Sequence, residues 1–173
     1  HLIDWCQVRG IDTQTLGIQK IIVAGEPGGS IPSIRNKIET SFNGTCIEVM
    51  GIADISPSLW AECPEAKQGM HFCGQEFVMV ELIDPDTGAN IKWEDGAEGE
   101  LVYSALEREC NALMRFRSRD RVQVWTSPCI CGRTSPRVRV IGRTDDMLIV
   151  RGVNVFPSAV KAVVSEFIPR TTG

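Results

Sequence analysis

The stretch KIIVAGEPGGSIPSIRNKIETSFNGTCIEVMGIAD, residues 20–54, decides the fold. Its first five residues, KIIVA, are a short apolar run with the pattern of a buried strand. GEPGG follows, and glycine lets the backbone turn sharply because it tolerates positive φ. Ile31, Ile34, Ile38 and Phe42 then recur at helical spacing, with Ser30 as the N-cap candidate and Asn43-Gly44 as the stop. TCIEVMG reads as a strand again. Strand, glycine turn, helix and strand make the α/β crossover unit, which predicts a parallel pair with a ligand crevice at its carboxyl ends. The GEPGG and MGIAD loops would share that edge.

Farther along, from about residue 76, the pattern changes to strands and tight turns: EFVMVELID, the turn DPDTG, EGELVYSAL and RVQVW. These predict an antiparallel part. RVRVI at 137–141 alternates, GRTDD interrupts it, and MLIVRGVNVF resumes as a strand. Pro157 then opens a helix with Val160, Val163, Val164 and Phe167 on one face, ending before Pro169. One strand and one helix cannot close a core of their own, so about the last thirty residues read as the start of a truncated domain.

The 173 residues suggest one domain, or one and a fragment, with enough chain to bury a core. A formal charge of -4 with dispersed lysines and arginines offers no basic face, which argues against nucleic-acid and membrane partners. No apolar run approaches the roughly 18 residues of a spanning helix, so a cytoplasmic location is expected. Strand edges left open by truncation could pair with a second copy, which keeps a homodimer as one option.

PCICGRT, residues 128–134, places Cys129 and Cys131 one residue apart. The pair could be half of a metal site, a redox device or a chance spacing. A disulfide within it would be strained, and the seven cysteines would leave one over in a full disulfide framework. Metal ligation for some and burial for the rest, Cys6, Cys46 and Cys110, fits better.

Taken together, four segments resemble the phenylacetate-CoA ligase family of adenylate-forming enzymes. They are AGEP (24–27), MGIAD (50–54), RFRSRD (115–120) and IGRTDDMLIVRGVNVFP (141–157). The resemblance covers nearly the whole chain from residue 20 onward. It implies an α/β fold in which residues 1–142 are the end of the large AMP-binding domain, an α/β unit plus an antiparallel β part. Residues 143–146 would be the hinge and 147–173 the beginning of the small C-terminal α+β domain. The family's Ser/Thr/Gly-rich phosphate loop and catalytic lysine have no counterpart here, so the piece alone is expected to be inactive.

The implied reaction joins a carboxylic acid to ATP, giving an acyl-adenylate and pyrophosphate, after which the coenzyme A thiol displaces AMP. Positioning and electrostatics should dominate such chemistry. By resemblance, Gly25, Glu26, Pro27, Met50 and Gly51 hold adenine, Asp120 the ribose, and Arg143 the nucleotide. Asp54 would bind Mg²⁺, Asp145 would be the pivot, and Ile52 would lie near the acyl group. Met50, Ala53 and Asp54 replace the family's aromatic, hydroxyl and glutamate. As a strand-end residue following RFRSR, Asp120 should be kept ionised by Arg115, Arg117, Arg119 and Arg121. The family also pairs an AECPEAKQGMH-like segment with a Cys-x-Cys-Gly-Arg, which implies a structural Zn²⁺ on Cys63, His71, Cys129 and Cys131, with Cys73 as a substitute ligand. An aryl or arylacetic acid is the expected substrate. A zinc-stabilised binding domain without catalysis, or a ligase with an acceptor other than coenzyme A, are the alternatives.

Overall fold

A computed structural model of the chain describes residues 2–25, 28–65, 67–146, 148–150, 153–155, 157–165 and 167. Glu26 and Pro27, expected at the adenine, lie outside the described residues, as does Pro169. The chain opens with α1 (Leu2–Val8) and a short 3-10 helix (Thr13–Leu16). The crossover unit follows as β1 (Lys20–Val23), α2 (Pro32–Phe42) and β2 (Thr45–Ile52). β1 and β2 pair in parallel, with Val23 opposite Glu48. Asn43 ends α2 in the left-handed region, as a C-cap should. The N-cap is Ile31 rather than Ser30, because Pro32, whose fixed φ suits the first helical position, sets the start of the helix one residue later. Ser30 turns instead to the Glu48 carboxylate, to which its N–H and hydroxyl donate.

Two short strands went unanticipated: β3 (Ser56–Ala61) and β4 (Met70–Phe72). Neither has a long alternating pattern, and both are held by long-range pairing. β5 (Val78–Ile83), β6 (Glu98–Ala105), β7 (Phe116–Trp125) and β8 (Arg137–Arg143) are the antiparallel strands the sequence predicts. The DPDTG turn closes on Asp84, whose Oδ1 accepts from the amides of Asp86 and Thr87. All eight form one sheet in the order β1-β2-β3-β4-β8-β7-β6-β5, parallel only at β1–β2. The run read as one strand in the sequence contains two: β9 (Leu148–Val150) and β10 (Val153–Val155) pair antiparallel, with Val150 opposite Val153. α3 (Pro157–Ser165) follows, with Val160 and Val163 exposed.

The core lies under the middle of the sheet, where Leu59, Trp60, Met70, Leu82, Leu101, Tyr103, Val122, Val124 and Val138 are almost fully buried. Each such side chain contributes about 1.5–3 kcal/mol by leaving water. Trp60 packs on Phe72 with ring centroids 4.8 Å apart, and its indole N–H donates to the Tyr103 hydroxyl at 2.8 Å. Cys6 and Cys46 are buried as expected; Cys110 is exposed, because it sits in the polar connection between β6 and β7. No helix among the described residues is long and apolar enough to cross a membrane.

Candidate functional site

A cleft of about 560 Å³ opens at the carboxyl ends of β1 and β2. Gly25 and Ser30 wall it from the β1–α2 connection, and Glu48 through Ile52 from β2. Phe116, Ser118 and Asp120 come from β7; Val140, Gly142 and Arg143 from β8; Asp146 and Pro157 close one side. Of the residues singled out from sequence, Gly25, Met50, Gly51, Ile52, Asp120 and Arg143 are brought together here. Asp54 and Asp145 are not on the wall; both are exposed. The Asp54 carbonyl accepts from Arg108.

Gly51 owes its place to a bulge. The β2–β3 register shifts between Met50 and Ile52, and a Cβ at Gly51 would collide with the Pro57 carbonyl. This close approach directs Met50 and Ile52 to the cleft.

Asp120 does not have the surroundings the sequence suggests. Arg115 pairs with Glu81, Arg117 with Glu100 and Arg121 with Glu98. Strand alternation and a bulge at β7 separate these guanidinium groups from Asp120, whose partner is Arg143 across the β7–β8 ladder. Burial pushes the Asp120 carboxyl above its ordinary value, with Arg143 and the Ser118 hydroxyl pulling the other way. Arg143 also takes Asp145 through two bonds of 2.9 and 2.7 Å.

Glu48 carries no signal in the sequence, where it is one acidic residue in a largely apolar strand. Burial, then the Glu62 carboxylate, raise its pKa, while Ser30 opposes them. Only the pairing of Glu48 with Val23 at the strand end reveals that it faces the cleft.

The second cluster lies where β4 meets β8. His71 stands opposite Arg137, which brings the segment after β3 beside the β7–β8 connection. Cys63, His71, Cys129 and Cys131 place their donor atoms within 4.8 Å of one another. Cys63 Sγ is 3.7 Å from Cys129 Sγ, and Cys131 Sγ is 3.4 Å from His71 Nε2. A tetrahedral zinc with its usual bond lengths needs sulfur–sulfur edges of about 3.8 Å and sulfur–nitrogen edges of about 3.5 Å, so the donor set fits. His71 Nδ1 lies 3.3 Å from the Ser135 carbonyl, the outer contact that orients a ligating imidazole. Burial lowers the His71 pKa, and bonding to the Arg133 amide brings the Cys131 thiol down to about 7. Cys73 is exposed and its thiol donates to the His71 carbonyl, away from the four.

Structures of 2-hydroxyisobutyryl-CoA ligase in the postadenylation state superpose on the chain with TM-scores of 0.87 and 0.88, at 29% identity. They cover 97% of this chain, which covers 35% of theirs. The same ligase in the thioesterification state, bound to 2-HIB-AMP and CoA, gives a TM-score of 0.75 at 28% identity. A mixed sheet opening on a cleft of this form is thus the fold of the adenylate-forming acid–CoA ligases. No protein-family model matches the chain. Phenylacetate-coenzyme A ligases of Thermus thermophilus and Pseudomonas putida are each 34% identical to it over 93% of its length. The chain belongs to the phenylacetate-CoA ligase family, and it spans 36% and 35% of those two relatives.

Proposed function

We propose that the chain is the nucleotide-facing part of an ATP-dependent acid–CoA ligase. The complete enzyme makes an acyl-adenylate from an aryl or arylacetic acid, releases pyrophosphate, and passes the acyl group to the coenzyme A thiol with loss of AMP. The observation that carries this reading is the meeting of Asp120 and Arg143 with Gly25, Met50 and Gly51 on one cleft wall. The Asp120 carboxylate would accept hydrogen bonds from ribose hydroxyls, and Met50 would pack on the purine through its polarizable side chain. Arg143 neutralises charge beside them. Asp54 is a hard oxygen ligand suited to Mg²⁺ alongside phosphate oxygens.

Arg143 through Asp146 join the main sheet to the hairpin and α3, and a few residues at such a boundary can absorb a domain swing. The better superposition on the postadenylation state than on the thioesterification state supports this reading of 143–146 as a hinge, with 147–173 beyond it. Cys63, His71, Cys129 and Cys131 would hold a structural zinc, whose role is to fix two loops against β4 and β8. We place the enzyme in the cytoplasm, acting on small molecules.

The test uses the full-length ligase containing this segment. Acid-dependent release of pyrophosphate from ATP, followed by release of AMP with acyl-CoA formation once coenzyme A is added, is measured over a panel of aryl, arylacetic and short hydroxy acids. Turnover with arylacetic acids is the expected result. Absence of AMP release with every acid overturns the proposal.

A further inference from the structure

A buried ion pair between Arg35, on α2, and Glu62, just after β3, lies behind the cleft wall. Their side chains are 12% and 3% exposed. Arg35 Nη2 donates to both Glu62 oxygens, at 2.7 and 2.8 Å. The rest of the guanidinium is committed to backbone: Nε donates to the Gly29 carbonyl at 2.6 Å and Nη1 to the Cys46 carbonyl at 2.8 Å. Glu62 Oε2 also accepts from the Glu48 amide at 2.9 Å. Lys67 stands 3.9 Å from the same carboxylate.

This one pair therefore fixes Gly29, the neighbour of Ser30, and Glu48 itself, and both Ser30 and Glu48 line the cleft. Packing leaves little slack between them, since a Cβ at Gly29 would stand 2.8 Å from both the Glu48 Cβ and the Val23 Cγ2. Buried ion pairs are weak sources of stability, because desolvation offsets most of their attraction. What a guanidinium provides is a planar fork of directed bonds. We propose that Arg35 and Glu62 are positioning residues for the nucleotide, holding Ser30 and Glu48 against the cleft without touching the ligand. The inference rests on the ATP-site reading above.

Two variants of the full-length ligase test it. Arg35→Lys keeps a cation beside Glu62 but loses the fork to Gly29 and Cys46. The double variant Arg35→Met with Glu62→Met replaces the pair by apolar volume, an exchange that often leaves stability intact. The expected result is a KM for ATP raised about ten- to a hundredfold in both, the scale of one charge-assisted bond, with kcat at saturating ATP and the melting temperature retained. An unchanged KM in Arg35→Lys, or a loss confined to kcat, overturns the inference whether or not the double variant folds. Wild-type ATP binding is measured first by titration. Its absence sinks the ATP reading and this inference with it, whereas intact binding with insensitive variants sinks only the inference.

Discussion

Asp120 and Arg143 face each other in register across β7 and β8, with Oδ1 and Nη1 3.2 Å apart. The same guanidinium grips Asp145, two residues on, by its Nε and Nη2. One cation is thus shared between a half-buried carboxylate in the cleft and an exposed one at the start of the connection to β9. Movement of Asp145 away from this position would leave Arg143 more charge to offer the cleft.

Asp120→Asn tests the cleft half of that arrangement. Asparagine keeps one acceptor oxygen but loses the charge, so the KM for ATP in the full-length ligase should rise about tenfold or more. Stability near neutral pH should change little, because burial already disfavours the ionised group. The sign follows from the raised pKa: folding binds the Asp120 proton more tightly, so the group favours the folded state at low pH and loses that contribution as pH rises through its folded value. Melting curves across the acid range would show the asparagine variant without it.

Glu100 carries the opposite sign. Its side chain is fully buried, and Arg117 reaches both oxygens, at 3.0 and 2.5 Å. The Arg119 amide and the Thr144 hydroxyl add bonds of 3.3 and 3.4 Å. Burial raises its pKa, but the Arg117 bonds and charge outweigh burial and leave the carboxyl below its ordinary 4.5. Its contribution is complete above that value and is lost as pH falls through the folded pKa. Glu100→Gln should cost about 2–3 kcal/mol near neutral pH, less than a fully buried pair because Arg117 is partly exposed, and should flatten the acid limb of the stability curve. Equal acid sensitivity in variant and wild type would assign that limb to other groups.

How far the sequence could be read depended on whether a signal was local. The β1–α2–β2 unit, the DPDTG turn and the strands from β5 to β8 have runs or turn residues that specify them. β3 and β4 have short patterns, and only pairing with distant β8 makes Met70–Phe72 a strand. Asp120 lines the cleft with a partner other than the arginines beside it in sequence, since sequence neighbours on a strand point to opposite faces while Arg143 lies 23 residues away. Glu48 and the Arg35–Glu62 pair were invisible for the same reason. The clustering of Cys63, His71, Cys129 and Cys131 is expected only from the resemblance, because a Cys-x-Cys pair does not by itself identify its partners.

Removing the metal would separate structure from chemistry. One zinc per chain is expected by elemental analysis of the purified protein. A chelator, or Cys129→Ser, should remove it and lower stability by about 3 kcal/mol or more, a fall of roughly 6–12 °C in melting temperature for a chain of this size. Adding zinc back should restore the melting temperature of the chelated wild type. An unchanged melting temperature after complete removal would show that the four donors do not brace the loops.

Gly51→Ala tests the bulge that aims β2 at the cleft. The added methyl meets the Pro57 carbonyl, a backbone atom that cannot swing away, so β2 and β3 must separate locally. Overpacking of this kind costs about 1–3 kcal/mol, which for this chain is a fall of roughly 2–12 °C in melting temperature. Because Met50 and Ile52 flank the bulge and both line the cleft, ATP binding by the full-length ligase should weaken as well. A glycine with open space around its Cβ position, Gly88 in the DPDTG turn, is the control: with φ at +73° and nothing within 4 Å of a Cβ, alanine there strains only its own backbone. Gly88→Ala should cost about 1 kcal/mol and leave ATP binding alone. If the two variants weaken ATP binding equally, the Gly51 effect is general loosening of the sheet and not a displacement of the cleft wall.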